Sequence, residues 1–336
     1  MPDRWKRTLR MKGYFGILAV IIIASLKISA TTWNEPWHDE VVRLADVFVR
    51  VQITESSGSR ATGKVVKLLG GIARGDSITI KGFSKLELES ISDQDELSLP
   101  FKVGDEYYLL VKKDTKTGYY QLPTPTSGWA WVDKGDVYAT YRHSYHQALV
   151  PVDIYEKTML SIFNAAKGKP VEESVLAFVK SQLSEPPANL TNDLADPVAK
   201  RFFLQHVALE TVFHTGVVVD VQQIEPFLQA AGAQVQISAA RVLGRIKTPT
   251  AQERLIKFIE GSGVGFAKVM CVWALRDQNA RGMTPRLQEF MKKGKDQETG
   301  FGGSIMDPRV GTFFPSSVKD SIKGLLAEWT EPAKRT

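Results

Sequence analysis

Gly58-Ser-Arg-Ala-Thr-Gly-Lys64 has the spacing of a phosphate-binding loop, GxxxxGK. That chemistry needs a Ser or Thr after the lysine for Mg²⁺, and then a helix whose N-terminal amides face the phosphates. Val65-Val66-Lys67-Leu68 follows instead. An apolar, β-branched run of this kind reads as strand, so a hairpin or loop is expected. His143 and His146 lie in Arg142-His-Ser-Tyr-His146, and His38 would add a third imidazole if the chain folded back. Metal sites draw three or four His, Cys or carboxylate ligands into a defined geometry. No HExxH occurs and no acidic residue flanks the pair, so this stretch reads as a polar, aromatic hinge between two domains. His206, Glu210 and His214 are spaced i, i+4, i+8 and share one helix face. A metal or acid–base role would need a fourth group that the pattern does not supply; helix-face contacts are the plainer reading.

The remaining candidates are weaker. Glu87, Glu89, Asp93, Asp95 and Glu96 lack the glycine and closing glutamate of a calcium loop, and read as a solvated loop. No GxSxG occurs, nor a Ser-x-x-Lys with its usual partners. Cys271, between Met270 and Trp273 on a helical pattern, is expected to be a buried, inert thiol. The sequence therefore assigns no catalytic residue, no metal ligand and no cofactor. Asn189-Leu-Thr191 is a glycosylation acceptor if the source is a eukaryote.

Charge narrows the partners. The chain has 336 residues and a formal net charge of +6. Arg4, Lys6, Arg7, Arg10, Lys12 and Lys27 against Asp3 account for five of those charges, leaving +1 on residues 31–336. A nucleic-acid surface needs a concentrated basic patch, so no nucleic-acid partner is expected. The basic start runs into an apolar stretch from Tyr14 to Leu26, and Ile28-Ser-Ala30 offers a small residue for cleavage. Residues 1–30 thus read as a signal peptide, and the protein as exported, periplasmic or extracellular. An uncleaved leader is the alternative, and would be the only route to a membrane. The single cysteine allows no intrachain disulfide, so the core must hold the fold.

The elements that would position these residues fall into two sets. From Ala45 to about Ser144 the pattern is strand-like. Val47, Val49, Val51 and Ile53 alternate onto one face, and 62–69, 76–81, 106–113, 118–122 and 137–141 repeat the style between glycine-rich turns. Val41–Leu44 reads as a short lead-in helix. Beyond Pro151 the period becomes helical: two helices before a polar connector at 185–197, then about 198–214, 221–231, 234–246, 250–260, 265–277, 284–293 and 316–329. Leu243 and Leu275 are 32 residues apart, as are Phe258 and Phe290, and Phe227 precedes Phe258 by 31. Paired helices at such a period are the mark of an α-solenoid.

Two resemblances follow from these residues. Ala45-Asp-Val-Phe-Val49, Gly63-Lys-Val-Val-Lys-Leu-Leu-Gly-Gly71 and Phe101-Lys-Val-Gly104 leading to Tyr107-Tyr-Leu-Leu-Val111 resemble the netrin-like, metalloprotease-inhibitor type of OB barrel. Those inhibitors grip the target's metal with an N-terminal cysteine and carry bridging disulfides. This stretch holds no cysteine, so the resemblance implies the fold and not the inhibition. Gln236-Ile-Ser-Ala-Ala-Arg-Val-Leu-Gly-Arg245 resembles the inner helix of a HEAT-like repeat, with the likeness running over about 198–293 and small Ala239 and Ala240 letting neighbours approach.

The expected protein is α+β and multidomain: a signal peptide over 1–30, a small OB-like β-barrel over 31–148, and an all-helical, HEAT-like solenoid over 149–336. The expected function is an exported, non-enzymatic scaffold that binds a protein partner through its helices and loops. A metal-dependent hydrolase built on His143, His146, His206, Glu210 and His214 is the alternative, with a protease-inhibitor-like module as a third. Expected partner contacts are Phe301, Arg309, Phe313 and Phe314 in the glycine-rich stretch 298–315, and Trp129 and Trp131 after the Pro123–Gly128 turn.

Overall fold

The computed structural model describes residues 33–73, 75–84, 101–143, 146–299, 310–311 and 314–331. The leader, the acidic stretch at 87–96, and Phe301, Arg309 and Phe313 lie outside the described residues.

The protein is α+β, with a closed five-stranded barrel in its N-terminal half and helices in its C-terminal part. The barrel strands are β2 (Val47–Ser57), β3 (Arg60–Gly70), β4 (Ser77–Lys81), β5 (Glu106–Lys113) and β6 (Tyr120–Gln121). They run in the order β2-β3-β4-β6-β5, and β5 closes back on β2 with Phe48 opposite Leu110. The β4–β6 pair is parallel and the others are antiparallel, an arrangement compatible with an OB-like barrel. Three register shifts along the β2–β3 pairing bend the long strands around the closure. Beyond β5 the sheet continues as a meander through β7 (Trp129–Asp133), β8 (Asp136–Ala139) and β9 (Ala148–Pro151).

Successive side chains on a strand point to opposite faces. Here both faces of β2 and β5 are buried, so alternate residues enter two different cores. Val47, Val49, Val51 and Ile53 join Tyr107, Leu109 and Val111 inside the barrel. Phe48, Tyr108 and Leu110 point outward into a second core that runs through the helices as far as Trp329. A short β1 (Trp33–Asn34) pairs in parallel with β10 (Val310–Gly311), tying the start of the described chain to its last segment.

The helices are α1 (His38–Leu44), ahead of the barrel, then α2 (Val152–Ala165), α3 (Glu173–Leu183), α4 (Pro197–Thr215), α5 (Val221–Leu228), α6 (Ala233–Arg245), α7 (Pro249–Glu260), α8 (Gly265–Asp277), α9 (Thr284–Lys293) and α10 (Val318–Thr330). Their ends follow local chemistry. Asp196 caps α4 with Pro197 in its first turn, and Gly216 closes it in the left-handed conformation at φ 70°. Thr248 caps α7 ahead of Pro249 in the same way. Helix α2 lies on β3, β8 and β9, and α4 on α2 and β9. From there α4, α6, α8 and α10 pack in succession, while α3, α5, α7 and α9 each lie against the helix that follows them. Gly244 sets the α6–α8 approach: a Cβ there would stand 3.0 Å from the Ala274 Cβ. Phe258 and Phe290 are both buried on alternate helices, each with a glycine from just beyond its helix against the ring, Gly263 and Gly294.

Strands β7 and β9 differ from the sequence expectation. Trp129 and Trp131 follow a Pro- and Gly-rich turn and read as loop, but Tyr107 and Tyr108 of β5 pair with Trp131 and Ala130 and draw the segment into the sheet. The strand-like pattern of the sequence runs only to about Ser144, and Ala148–Pro151 forms a further strand because β8 offers it an unpaired edge. Among the described residues no strand falls within 198–293.

Candidate functional site

The ionisable residues singled out by spacing meet at the seam between the barrel and the helices. Helix α1 brings His38. The segment crossing from β8 to β9 brings Arg142, His143 and His146. Helix α4 brings His206, Glu210 and His214, and α6 brings Ser238 and Arg241. All five histidines of the chain are among them.

Glu210 is the centre. It is fully buried, accepts a hydrogen bond from Ser238 Oγ at 2.6 Å and one from Arg241 Nε at 3.2 Å, and stands 3.9 Å from Arg142 Nη1. Burial works to raise its pKa, but Arg241, Arg142 and the neighbouring imidazoles outweigh it and hold the carboxyl at about 2. Arg142 is itself anchored: it donates to the Gln234 carbonyl at 3.1 Å, to the Gln234 side chain, and to Ser238 Oγ at 3.1 Å. Arg241 lies against the rings of Phe213 at 3.8 Å and Trp37 at 4.8 Å, a cation–π arrangement, and its Nη2 has no hydrogen-bond partner among the described residues.

The imidazoles surround this ion cluster. Ser238 gives its proton to Glu210, so the His206 Nδ1 contact at 3.1 Å is a donation to Ser238, which leaves Nε2 as the bare nitrogen. Among the described residues His206 Nε2 and His146 Nδ1 have no hydrogen-bond partner, and the two ring centroids are 4.2 Å apart. His214 donates Nε2–H to the Tyr141 carbonyl at 2.6 Å, and its ring is 5.7 Å from His38. His38 Nε2 meets Met159 Sδ at 3.2 Å. His143 donates to the Glu35 carbonyl at 3.3 Å and packs edge-on to Trp37. Burial pushes every one of these pKa values down, with the nearby positive groups adding to it, and His143 falls to about 4. At neutral pH the cluster therefore holds two arginines, one carboxylate and five uncharged imidazoles.

The His206, Glu210, His214 face is real, but its chemistry is ion pairing. Arg142 and Arg241 supply the positive charge that a metal would bring. Among the described residues no group of three or more His, Cys, Asp or Glu side chains is placed to hold a metal ion. The two arginines were missed by spacing rules. Yet Ser238 is 32 residues from His206 and Arg241 is 31 from Glu210, the repeat period itself.

Beside the seam opens a cleft of about 360 Å³, lined by Trp37, Phe213, Arg241, Arg245, Trp273 and Arg276 among others. An adjoining hollow shares Phe213, Arg245 and Lys247 and adds Val218, which is 95% exposed. Phe314 stacks on Trp273 at 6.0 Å and meets Trp37 and Phe266 edge-on, so this ring of the 298–315 stretch closes one side of the seam. Trp129 packs edge-on to Phe101 and Tyr107 against the barrel core, and Trp131 stacks on Tyr138 at 5.0 Å.

Gly58 sits in the β2–β3 hairpin turn, and Lys64 lies mid-strand opposite Gln52 and Ser77, so no helix N-terminus follows it. Cys271 is fully buried on α8, and burial raises its thiol pKa well above the ordinary range. Among the described residues no helix is long and apolar enough to cross a membrane. The chain matches no family model, no curated protein and no solved structure.

Proposed function

We propose that the protein is an exported, non-enzymatic interaction protein. In this reading an OB-like barrel of the netrin-like kind carries a short solenoid of HEAT-like helix pairs, and a protein partner docks along the ends of α4, α6 and α8. The observation that carries the reading is the cleft: three half-buried aromatic rings, Trp37, Phe213 and Trp273, with Asp39, Glu40 and the Arg276–Asp277 pair on its lining and Arg245 and Lys247 at the side that leads into the adjoining hollow. Aromatic and arginine side chains in a concave site are what interfaces use as anchors. The adjoining Val218 extends the apolar surface outward, and Arg245 and Lys247 favour a segment that mixes apolar and acidic residues. The succession α4, α6, α8, α10 with its outer helices supports the solenoid, and the basic, apolar leader supports export. The metal-dependent hydrolase reading gains nothing from a cluster whose histidines are packed around an arginine–glutamate network; none of them lines the cleft, and His214 alone reaches the adjoining hollow.

A photo-cross-linking side chain placed at Val218 tests this in the native compartment. It should capture a discrete protein partner, and the same group at Lys116, in the barrel's β5–β6 turn, should not. Arg245→Ala with Lys247→Ala should lower the Val218 yield several-fold without moving the melting temperature. Equal capture at both positions, or a yield indifferent to the double change, would refute the reading.

A further inference from the structure

The proposal above leaves unused the most unusual feature of the molecule, the concentration of every histidine at one seam. The pairs are also arranged across it. His38 on α1 faces His214 on α4, and His146 on the crossing segment faces His206 on α4. His143 sits on the same side as His38, between Trp37 and Phe314. A proton taken up by either member of a pair puts a charge beside a second imidazole that competes for the next one.

The charges already present decide the outcome. From α4 the cluster receives Glu210; from α6, Arg241; from the crossing segment, Arg142; from α1, Asp39 acts on His214 from the exposed rim. Helix α2 contributes the neutral Tyr155 and Met159, and Glu35 meets His143 through its backbone oxygen. One buried carboxylate is thus shared by two arginines before any imidazole is charged. Among the described residues the other buried carboxylate, Glu35, already accepts hydrogen bonds from Trp33, Thr124 and Thr126, so protons added to the two facing pairs gain no new buried anion, and the cheapest relief is to let water in.

The barrel interior is different. Among the described residues, none of the buried histidines and charged side chains lies on the barrel strands that carry Val47, Val49, Val51, Ile53, Ile78, Ile80 and Leu109. Acid therefore acts on one of the two cores and spares the other.

We propose that the seam is an acid-labile joint, in which proton uptake by the paired histidines separates α4 from α1 and the crossing segment while the five-stranded barrel stays closed. The sign follows from the direction of the shifts. A histidine whose pKa is depressed in the folded state supports that state fully above about 6.5, its unfolded value, and this support is lost as pH falls below it. For His143 the loss runs from 6.5 down to about 4. The joint is thus closed at neutral pH and opens within that window.

Hydrogen exchange on the full chain at pH 7.5 and stepwise down to 4.5 tests this. Protection factors in α1 and α4 should fall by roughly tenfold or more while those of Val49–Ile53 in β2 hold. His146→Gln with His206→Gln removes one facing pair and should move the midpoint of opening to lower pH by about half a unit or more. Should that variant not fold at pH 7.5, His38→Gln, which breaks the other pair, is measured in its place with the same expected direction. Three results would overturn the proposal: barrel and seam amides losing protection together, no change down to pH 4.5, or a midpoint indifferent to these substitutions.

Discussion

Replacing Glu210 by Gln keeps the shape of the buried side chain and removes the one carboxylate among the described residues that Arg142 and Arg241 share. The cost can be reached by two routes. The carboxyl is held at about 2 against an ordinary 4.5, and at about 1.4 kcal/mol per tenfold change in affinity for the proton the folded state favours its charge by roughly 3 kcal/mol. Independently, removing one partner from a buried ion pair costs about 3–5 kcal/mol, because the other charge is left uncompensated. Glu210 and both arginines are buried, so solvent screening offers little discount. Denaturant unfolding at pH 7.5 should show a lower midpoint with an unchanged slope, equivalent to about 3 kcal/mol. The sign with pH is fixed too. A depressed carboxyl pKa contributes stability above 4.5 that is lost as pH falls towards 2, so the gap between the two proteins should hold from pH 7.5 to about 6.5, where the seam is closed, and shrink at lower pH as the seam opens and the carboxyl protonates. A Glu210→Gln protein within about 0.5 kcal/mol of the parent at pH 7.5 would show that the arginines find compensation elsewhere, and the account of the seam would fail.

Two further expectations rest on single contacts. Gly244→Ala should cost about 1–3 kcal/mol in the same unfolding assay, since the new Cβ lies 3.0 Å from the Ala274 Cβ and 3.2 Å from its backbone. Gly324→Ala on α10, where nothing stands within 4 Å, should instead be neutral or stabilise by up to about 1 kcal/mol, and serves as the control. Lys64→Ala should stay within about 0.5 kcal/mol of the parent, and calorimetric titration with Mg–ATP should give no binding in either protein; tight binding lost on substitution would restore the phosphate-loop reading.

From 198 onward the helices were legible to within three residues at either end. The expected 265–277 and 284–293 coincide with α8 and α9 because apolar period and end signals agree there. The barrel strands were legible from alternation, except where a strand exists only because its neighbour needs a partner, as in β7 and β9. The site was half legible. Helical spacing placed His206, Glu210 and His214 on one face, but the meaning of that face depends on Arg142 and Arg241. An arginine in a pattern of small and apolar residues looks like an exposed position. Arg241 is 9% exposed only because Trp37 and Phe213 cover its guanidinium and Glu210 neutralises it. None of those three lies near it in sequence.

The alternation of β2 explains why the charged seam exists at all. Had Phe48, Tyr108 and Leu110 been polar, the barrel would be wetted on its outer face and could stand alone. Because they are apolar, the barrel must be covered, and α1 and α2 cover it, with α4 packed on α2. The crossing segment from β8 to β9 is then trapped between barrel and helices, and its Arg142, His143 and His146 go into the interior with it. A guanidinium carried there needs a partner, and Glu210 on α4 is placed to supply it. Glu210 in turn draws Arg241 from the next helix pair, and Arg241 stands between Trp37 of the barrel side and Phe213 of the helical side. The network thus links the barrel, the crossing segment and two successive helix pairs through contacts that fit only one relative placement of α4 and α6. Burying these ions costs desolvation that an apolar seam would avoid. What the ions and their histidines add is a joint whose strength depends on pH, beside a cleft lined by Trp37, next to α1, and Trp273 on α8, which pack edge-on at 6.2 Å.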